Sequence, residues 1–236
     1  MLIIGGAVGA IISYIISLIF LQPIYVAESR ISVSINFKQV GHLTQYEQDQ
    51  MIGNVTSLFQ TSDTIDEVLG LLNDDELNTS NFLNHCFIER QVNEIYFRCK
   101  SEDPSKSLDW SSTWADVAYQ KLFEAYEHAV EYEKLSGIQD DYETCVEGSI
   151  LIPPVSLECS KLLPDDISSE ELSQTLKNEF QLSKNIHTGF VFSEVIPATL
   201  PERPVRYGTN TLVIIGTLLG VILSLFYVLN IDNEKQ

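Results

Sequence analysis

Two stretches without a charged residue, 2–21 and 211–229, frame a chain whose middle changes hydrophobic period several times. A helix needs about 20 apolar residues to cross a bilayer, and both stretches reach that length. They predict a first transmembrane helix over 1–21 and a second over 209–229. Residues 22–208 lie between them, and 230–236 form a short tail. The first run begins without basic residues and exceeds the usual apolar core of a secretory signal. That argues against cleavage after Ala27 and suits a start upstream of Met1.

After the first run, Pro23 stops the helix. Ile31, Val33, Ile35 and Phe37 then alternate with Ser32, Ser34, Asn36 and Lys38, a period-two pattern that predicts a half-buried strand. Met51, Val55, Leu58 and Phe59 recur at helical spacing. A second helix follows over "DTIDEVLGLL", with the break near Thr61 to Asp63, and 77–83 offers a further helical turn. "CFIERQVNEIYFRC" reads as a hairpin turning at Val92-Asn93, which sets Cys86 opposite Cys99. Trp110, Trp114, Val117, Ala118, Leu122, Ala125, Tyr126 and Ala129 make one apolar face of a long helix, most simply a core stripe. Residues 136–164, with Gly137, Gly148, Pro153, Pro154 and Pro164, read as irregular. Ser168 and Glu171 match a capping box opening a helix to about Gln181. "TGFVFSEVIPA" closes the middle region as a strand, which enters a proline-bearing connector at 197–208. The expected fold class is α+β: a small mixed sheet with packed helices and one long helix, flanked by two transmembrane helices. The first and last strands each feed a span, which predicts that they lie side by side at the membrane-proximal base.

Charge changes this picture in one respect. The net charge is −19, and residues 22–208 hold 13 Lys and Arg against 31 Asp and Glu, a net of −18. Such a domain repels phosphates, which excludes nucleic acid as a partner. With both spans in place, the two termini share one side, read as cytoplasmic, and the acidic domain is extracytoplasmic. Lys235 is the one basic residue outside the middle region, so charge bias barely orients the chain. Arg203 and Arg206 beside the second span oppose this orientation, but long domains translocate largely regardless of charge.

The four cysteines, Cys86, Cys99, Cys145 and Cys159, contain no CxxC pair. An even count in a translocated domain suggests the disulfides Cys86–Cys99 and Cys145–Cys159. Three connectivities, and four free thiols, stay open at this stage. No GxxxxGK[ST], GxSxG or HExxH is present, and His42, His85, His128 and His187 are scattered. The sequence therefore assigns no catalytic residue, no cofactor and no metal. What it does offer is helix association. Gly5, Gly9, Ser13 and Ser17 recur every four residues in the first span, and Gly216, Gly220 and Ser224 in the second. Small residues at this spacing let backbones approach closely in lipid.

Three segments together resemble the Wzz family, the polysaccharide co-polymerases or chain-length determinants, including their short capsule-synthesis adaptor relatives. "QPIYVAESRISVSI" is similar to the family's P-x-Y-x-A segment and the strand after it. "SEDPSKSLDWSSTWADVAYQKL" resembles the Asp-Pro that opens the family's long helix. "ATLPERPVRYGTN", with Pro201, Arg203, Pro204 and Arg206, resembles the proline-rich connector before the second span. Tyr207 stands where the family commonly has a third proline, and the cysteines are not a family mark. The chain is shorter than Gram-negative members, which argues against a long helical arm. The resemblance implies a non-catalytic homo-oligomer in the cell membrane that works with a membrane-embedded polysaccharide polymerase on a lipid-linked glycan. A cytoplasmic tyrosine kinase is a further implied partner, for which seven residues after the second span leave little room. A sensor with a separate cytoplasmic effector, an envelope enzyme and an accessory subunit of a larger membrane complex are the competing readings.

Overall fold

The computed structural model describes residues 2–74, 77–150, 159–163, 168–205 and 209–234. In chain order the elements are α1 (Leu2–Phe20), β1 (Tyr25–Ile35), α2 (Phe37–Val40), α3 (Gln45–Phe59), α4 (Ser62–Leu72), α5 (Thr79–His85), β2 (Cys86–Gln91) and β3 (Glu94–Ser101). They continue as α6 (Pro104–Ile150), a 3-10 turn (Ser160–Leu162), α7 (Ser169–Leu182), β4 (Phe190–Phe192) and α8 (Thr209–Glu234). The chain divides into two compact units, one of Met1–Ala27, Cys99–Leu108 and Thr199–Gln236, the other of Glu28–Arg98 and Asp109–Ala198.

The first unit contains α1 packed along α8. Leu21 to Pro23 interrupt the chain after α1, and Ile24 then pairs with Val205 through bonds of 3.1 and 2.7 Å. Asp103 caps the start of α6 by accepting the Ser105 N–H at 2.8 Å. Pro104 occupies the first helical position, where its missing N–H costs nothing. Of the described helices, α1 is the one long and apolar enough to cross a bilayer; the described apolar part of α8 is Asn210–Phe226.

The sheet has the strand order β2-β3-β1-β4. In the second unit β1 runs antiparallel to β4, with Val33 opposite Phe192 and Ile35 opposite Phe190. Arg30 pairs with Ile196, so the returning strand has gained one residue, as at a β-bulge. The turn at Val92-Asn93 falls where the pattern put it, and the Asn93 carbonyl accepts the Val33 N–H at 2.8 Å. Alternation holds along β1: Ala27, Ser29, Ile31 and Val33 are buried. The core gathers Phe59, Phe82, Phe97 and Trp114 in tilted and edge contacts at 5.2–5.4 Å. The Trp114 indole N–H donates to the Phe59 carbonyl at 3.0 Å, which satisfies the polar tip of a fully buried ring. A second cluster, Leu135 on α6 with Leu172 and Leu176 on α7, binds those helices together.

Three expectations are corrected. Residues 136–150 are not irregular: α6 runs through Gly137 and Gly148 to Ile150. A helical glycine costs about 1 kcal/mol against alanine, and Leu135 and Ile138, packed against α7, hold the helix across it. The 47-residue α6 is therefore one long helix, about 70 Å at 1.5 Å per residue. Phe37 does not continue β1; it is half-exposed and opens α2, because the Asn36 side chain accepts the Lys38 N–H. The buried stripe of α3 contains Ile52, not Met51. The remaining part of the segment read as irregular, with Pro153, Pro154 and Pro164, lies outside the described residues.

Candidate functional site

The residues singled out for helix packing meet in the first unit. Gly5 and Gly9 of α1 face Gly216, Gly220 and Ser224 of α8. A Cβ added to Gly9 would collide with the Gly216 carbonyl oxygen and lie 3.1 Å from the Gly220 Cα. One added to Gly5 would lie 2.5 Å from the Ser224 Cβ and 2.7 Å from the Gly220 carbonyl oxygen. One added to Gly216 would strike the Ser13 side chain. The two stripes thus form one intrachain seam with backbone against backbone. Gly6, outside the stripe, is also buried there, its added Cβ 3.1 Å from Val221 Cγ2. Ser17 is fully buried and donates to the Tyr14 carbonyl at 2.7 Å; Ser224 does the same to Val221 at 2.8 Å. These local bonds satisfy the hydroxyls without a partner helix. The opposite faces are apolar and exposed: Ile4, Ile11 and Ile15 on α1, Leu218, Ile222 and Phe226 on α8, with Tyr14 half-exposed.

Pro23, Pro201 and Pro204 all lie beside the Ile24–Val205 pair, in stretches that need no ladder hydrogen bond. Arg203 is exposed next to Pro204. Arg206 and Tyr207 lie outside the described residues.

The second unit holds a feature to which the hydrophobic pattern gave no weight. Ser29 on β1 and Ser111 on α6 are both fully buried, their hydroxyl oxygens 3.0 Å apart. Ser111 Oγ accepts the Ser29 N–H at 2.8 Å and donates to the Phe97 carbonyl at 2.7 Å. Ser29 Oγ accepts the Ala198 N–H at 3.0 Å. Two hydroxyls thereby join β1, β3, α6 and the residue that leads into the connector. The signal was available: Ser29 has the parity of Ile31 and Val33, and Ser111 the i+3, i+4 spacing to Trp114 and Ala115.

Nearby charges are paired. Arg30 lies 3.1 Å from Glu94, to whose carboxylate the Tyr96 hydroxyl also donates, and that bond holds the Tyr96 hydroxyl above its ordinary pKa. Arg98 bridges Glu28 at 2.6 Å and also meets Glu89. Cys145 and Cys159 are bonded, their Cα atoms 5.7 Å apart, which ties the last turns of α6 to the chain entering the 3-10 turn. Cys86 and Cys99 each belong to a disulfide too. Among the described residues no three His, Cys, Asp or Glu side chains converge to hold a metal ion.

No protein-family model and no curated protein matches the chain. Among solved structures, a full-length bacterial polysaccharide co-polymerase is similar over 100% of this chain and 94% of its own, at 13% identity and a TM-score of 0.36. A point mutant of the Shigella flexneri lipopolysaccharide O-antigen chain-length regulator WzzB is similar over 77% of this chain and 100% of its own, at 12% identity and a TM-score of 0.27. The periplasmic domain of a chimeric WzzB chain-length regulator is similar over 76% of this chain and 98% of its own, at 12% identity and a TM-score of 0.24. The structural neighbours are thus polysaccharide co-polymerases and O-antigen chain-length regulators, the family that the sequence resembles.

Proposed function

We propose that the chain is a two-pass membrane protein, without catalysis of its own, that regulates the length or assembly of a surface polysaccharide. On this reading it oligomerises and acts with a glycan polymerase, holding its acidic domain outside the cytoplasm. The observation that carries the proposal is the seam of α1 and α8 with the Ile24–Val205 pair. In lipid, close backbone packing and not hydrophobicity brings helices together. A closely packed pair of helices whose outer faces are mostly apolar suits an anchor that positions a domain and presents surface to other membrane helices. The substrate class comes from the sequence resemblance, whose connector residues flank that pair.

Deleting the gene and sizing the surface polysaccharide on a gel tests this directly. The length distribution should broaden or shift, and the wild-type chain should restore it. Gly9→Leu, which drives a side chain into the Gly216 carbonyl, should fail to restore it although the protein reaches the membrane. An unchanged distribution after deletion would refute the proposal. In detergent, the native mass should exceed that of a dimer.

A further inference from the structure

A cleft of about 660 Å³ opens in the second unit between α6 and the segment from α7 to β4. Its chemistry is specific. Tyr132 and Phe180 form one wall, ring centroids 5.4 Å apart and planes at 51°, with Phe180 48% exposed. Two aromatic faces left partly open are a surface for flat apolar groups. Gly137 forms part of the α6 side, where an added Cβ would meet nothing within 4 Å. The glycine that failed to break the helix therefore leaves open space in the cleft. Glu133 and Asp140 lie seven residues apart on the same helix, so they share a face two turns apart, about 10 Å along the axis.

The opposite side supplies donors. His187 Nδ1 accepts the Gly189 N–H at 2.9 Å. In the neutral ring the proton then sits on Nε2, which becomes a hydrogen-bond donor. Asn185 is held at φ +61° directly after Lys184 at φ +51°. Two successive left-handed residues are costly unless their surroundings fix them. The Ile186 N–H donates to the Ser183 carbonyl at 2.8 Å, and the Asn54 amide to the Asn185 carbonyl at 3.4 Å, which fixes them. Among the described residues no lysine or arginine lines the cleft itself; Lys177 lines the adjoining depression, which shares Tyr132, Ser136, Asp140 and Phe180.

Carboxylate acceptors, imidazole and amide donors and an aromatic wall match a ligand that alternates hydroxyls with C–H faces. They repel phosphates and uronates. We propose that this cleft is a saccharide subsite that takes a neutral or N-acetylated sugar unit. The inference rests on the glycan reading above and adds to it a direct contact between the acidic domain and the polymer.

The test uses the full chain in dodecyldimethylamine oxide, a detergent without a sugar headgroup. Maltotriose, chitotriose, trigalacturonate and trilysine are titrated by calorimetry and saturation-transfer NMR. A neutral trisaccharide should bind saturably. Trigalacturonate should bind about tenfold more weakly, the worth of a single charge-assisted hydrogen bond. Glu133→Gln should weaken the neutral sugar about fivefold with an unchanged melting temperature. Gly137→Trp, which fills the cleft, should weaken it at least as much; Gly137→Ala should melt no lower than the wild type. Absence of saturable binding, equal binding to Gly137→Trp and wild type, or tighter binding of trilysine or trigalacturonate would each overturn the subsite. Failure here with altered polysaccharide length in the deletion strain removes the subsite alone. Sugar binding with unchanged length removes the chain-length reading alone.

Discussion

At the scale of single residues, the two buried serines make the sharpest case. A buried hydroxyl needs its partners, because an orphaned buried donor costs its full desolvation. Ser111 has one proton, and the short bond to the Phe97 carbonyl takes it. Its oxygen accepts the Ser29 N–H and lies 3.0 Å from Ser29 Oγ, which accepts the Ala198 N–H. Ser111→Ala should strand the Ser29 N–H and cost about 1–3 kcal/mol. Ser112→Ala, one position round the helix, should stay within about 0.5 kcal/mol. Denaturant unfolding of the full chain in detergent reads both, and an unmoved midpoint for Ser111→Ala would refute the network. Parity and helical spacing made the inward direction of both serines legible. Which carbonyl and which N–H they would meet was not, because those come from chain far away in sequence.

At the scale of elements, the start of α7 was legible because Ser168 closes it, whereas the Asn36 cap that ends β1 did not show against the alternating pattern. Thr44 with Glu47 and Ser168 with Glu171 both form reciprocal capping boxes. Each is a local exchange of hydrogen bonds, so its residues suffice to announce it. The end of the long helix was not legible, because Gly137 and Gly148 look like stops and what overrides them is tertiary: the Leu135, Leu172 and Leu176 cluster. The caps also predict a pH dependence. The Ser168 backbone N–H and hydroxyl hold the Glu171 carboxyl below its ordinary pKa. A depressed carboxylate pKa contributes stability that is present above the unfolded value, about 4.3–4.5. It is lost as pH falls through the folded value. Glu171→Gln should therefore melt lower than the wild type at neutral pH, and the gap should close on acidification below about pH 4. Thermal melts followed by circular dichroism at several pH values measure this; a gap independent of pH would show that the carboxylate charge plays no part in the cap.

At the scale of the whole molecule, the proposed topology rests on forces that the charge pattern alone leaves almost balanced. The apolar outer faces of α1 and α8 suit lipid on the proposed reading, yet flanking lysines and arginines give little direction. The proposal is compatible with the middle of the chain, because long domains can translocate largely regardless of the charges beside the spans. The cysteines agree, since disulfides persist in oxidising compartments and not in the cytosol, and none of the four is a free thiol. That oxidation makes a clean test available, because an introduced cysteine would be the single reactive thiol. Gln120, exposed on α6 in the acidic domain, and Asn233, in the last turns of α8, stand on opposite sides of the proposed membrane. A membrane-impermeant maleimide given to cells with an intact inner membrane should label Gln120→Cys at once. It should label Asn233→Cys only after lysis. Labelling of Asn233→Cys in intact cells would put the end of α8 outside and reduce the chain to a single crossing. Protection of Gln120→Cys would place the acidic domain in the cytoplasm, where neither a surface glycan nor an oxidised cysteine pair belongs.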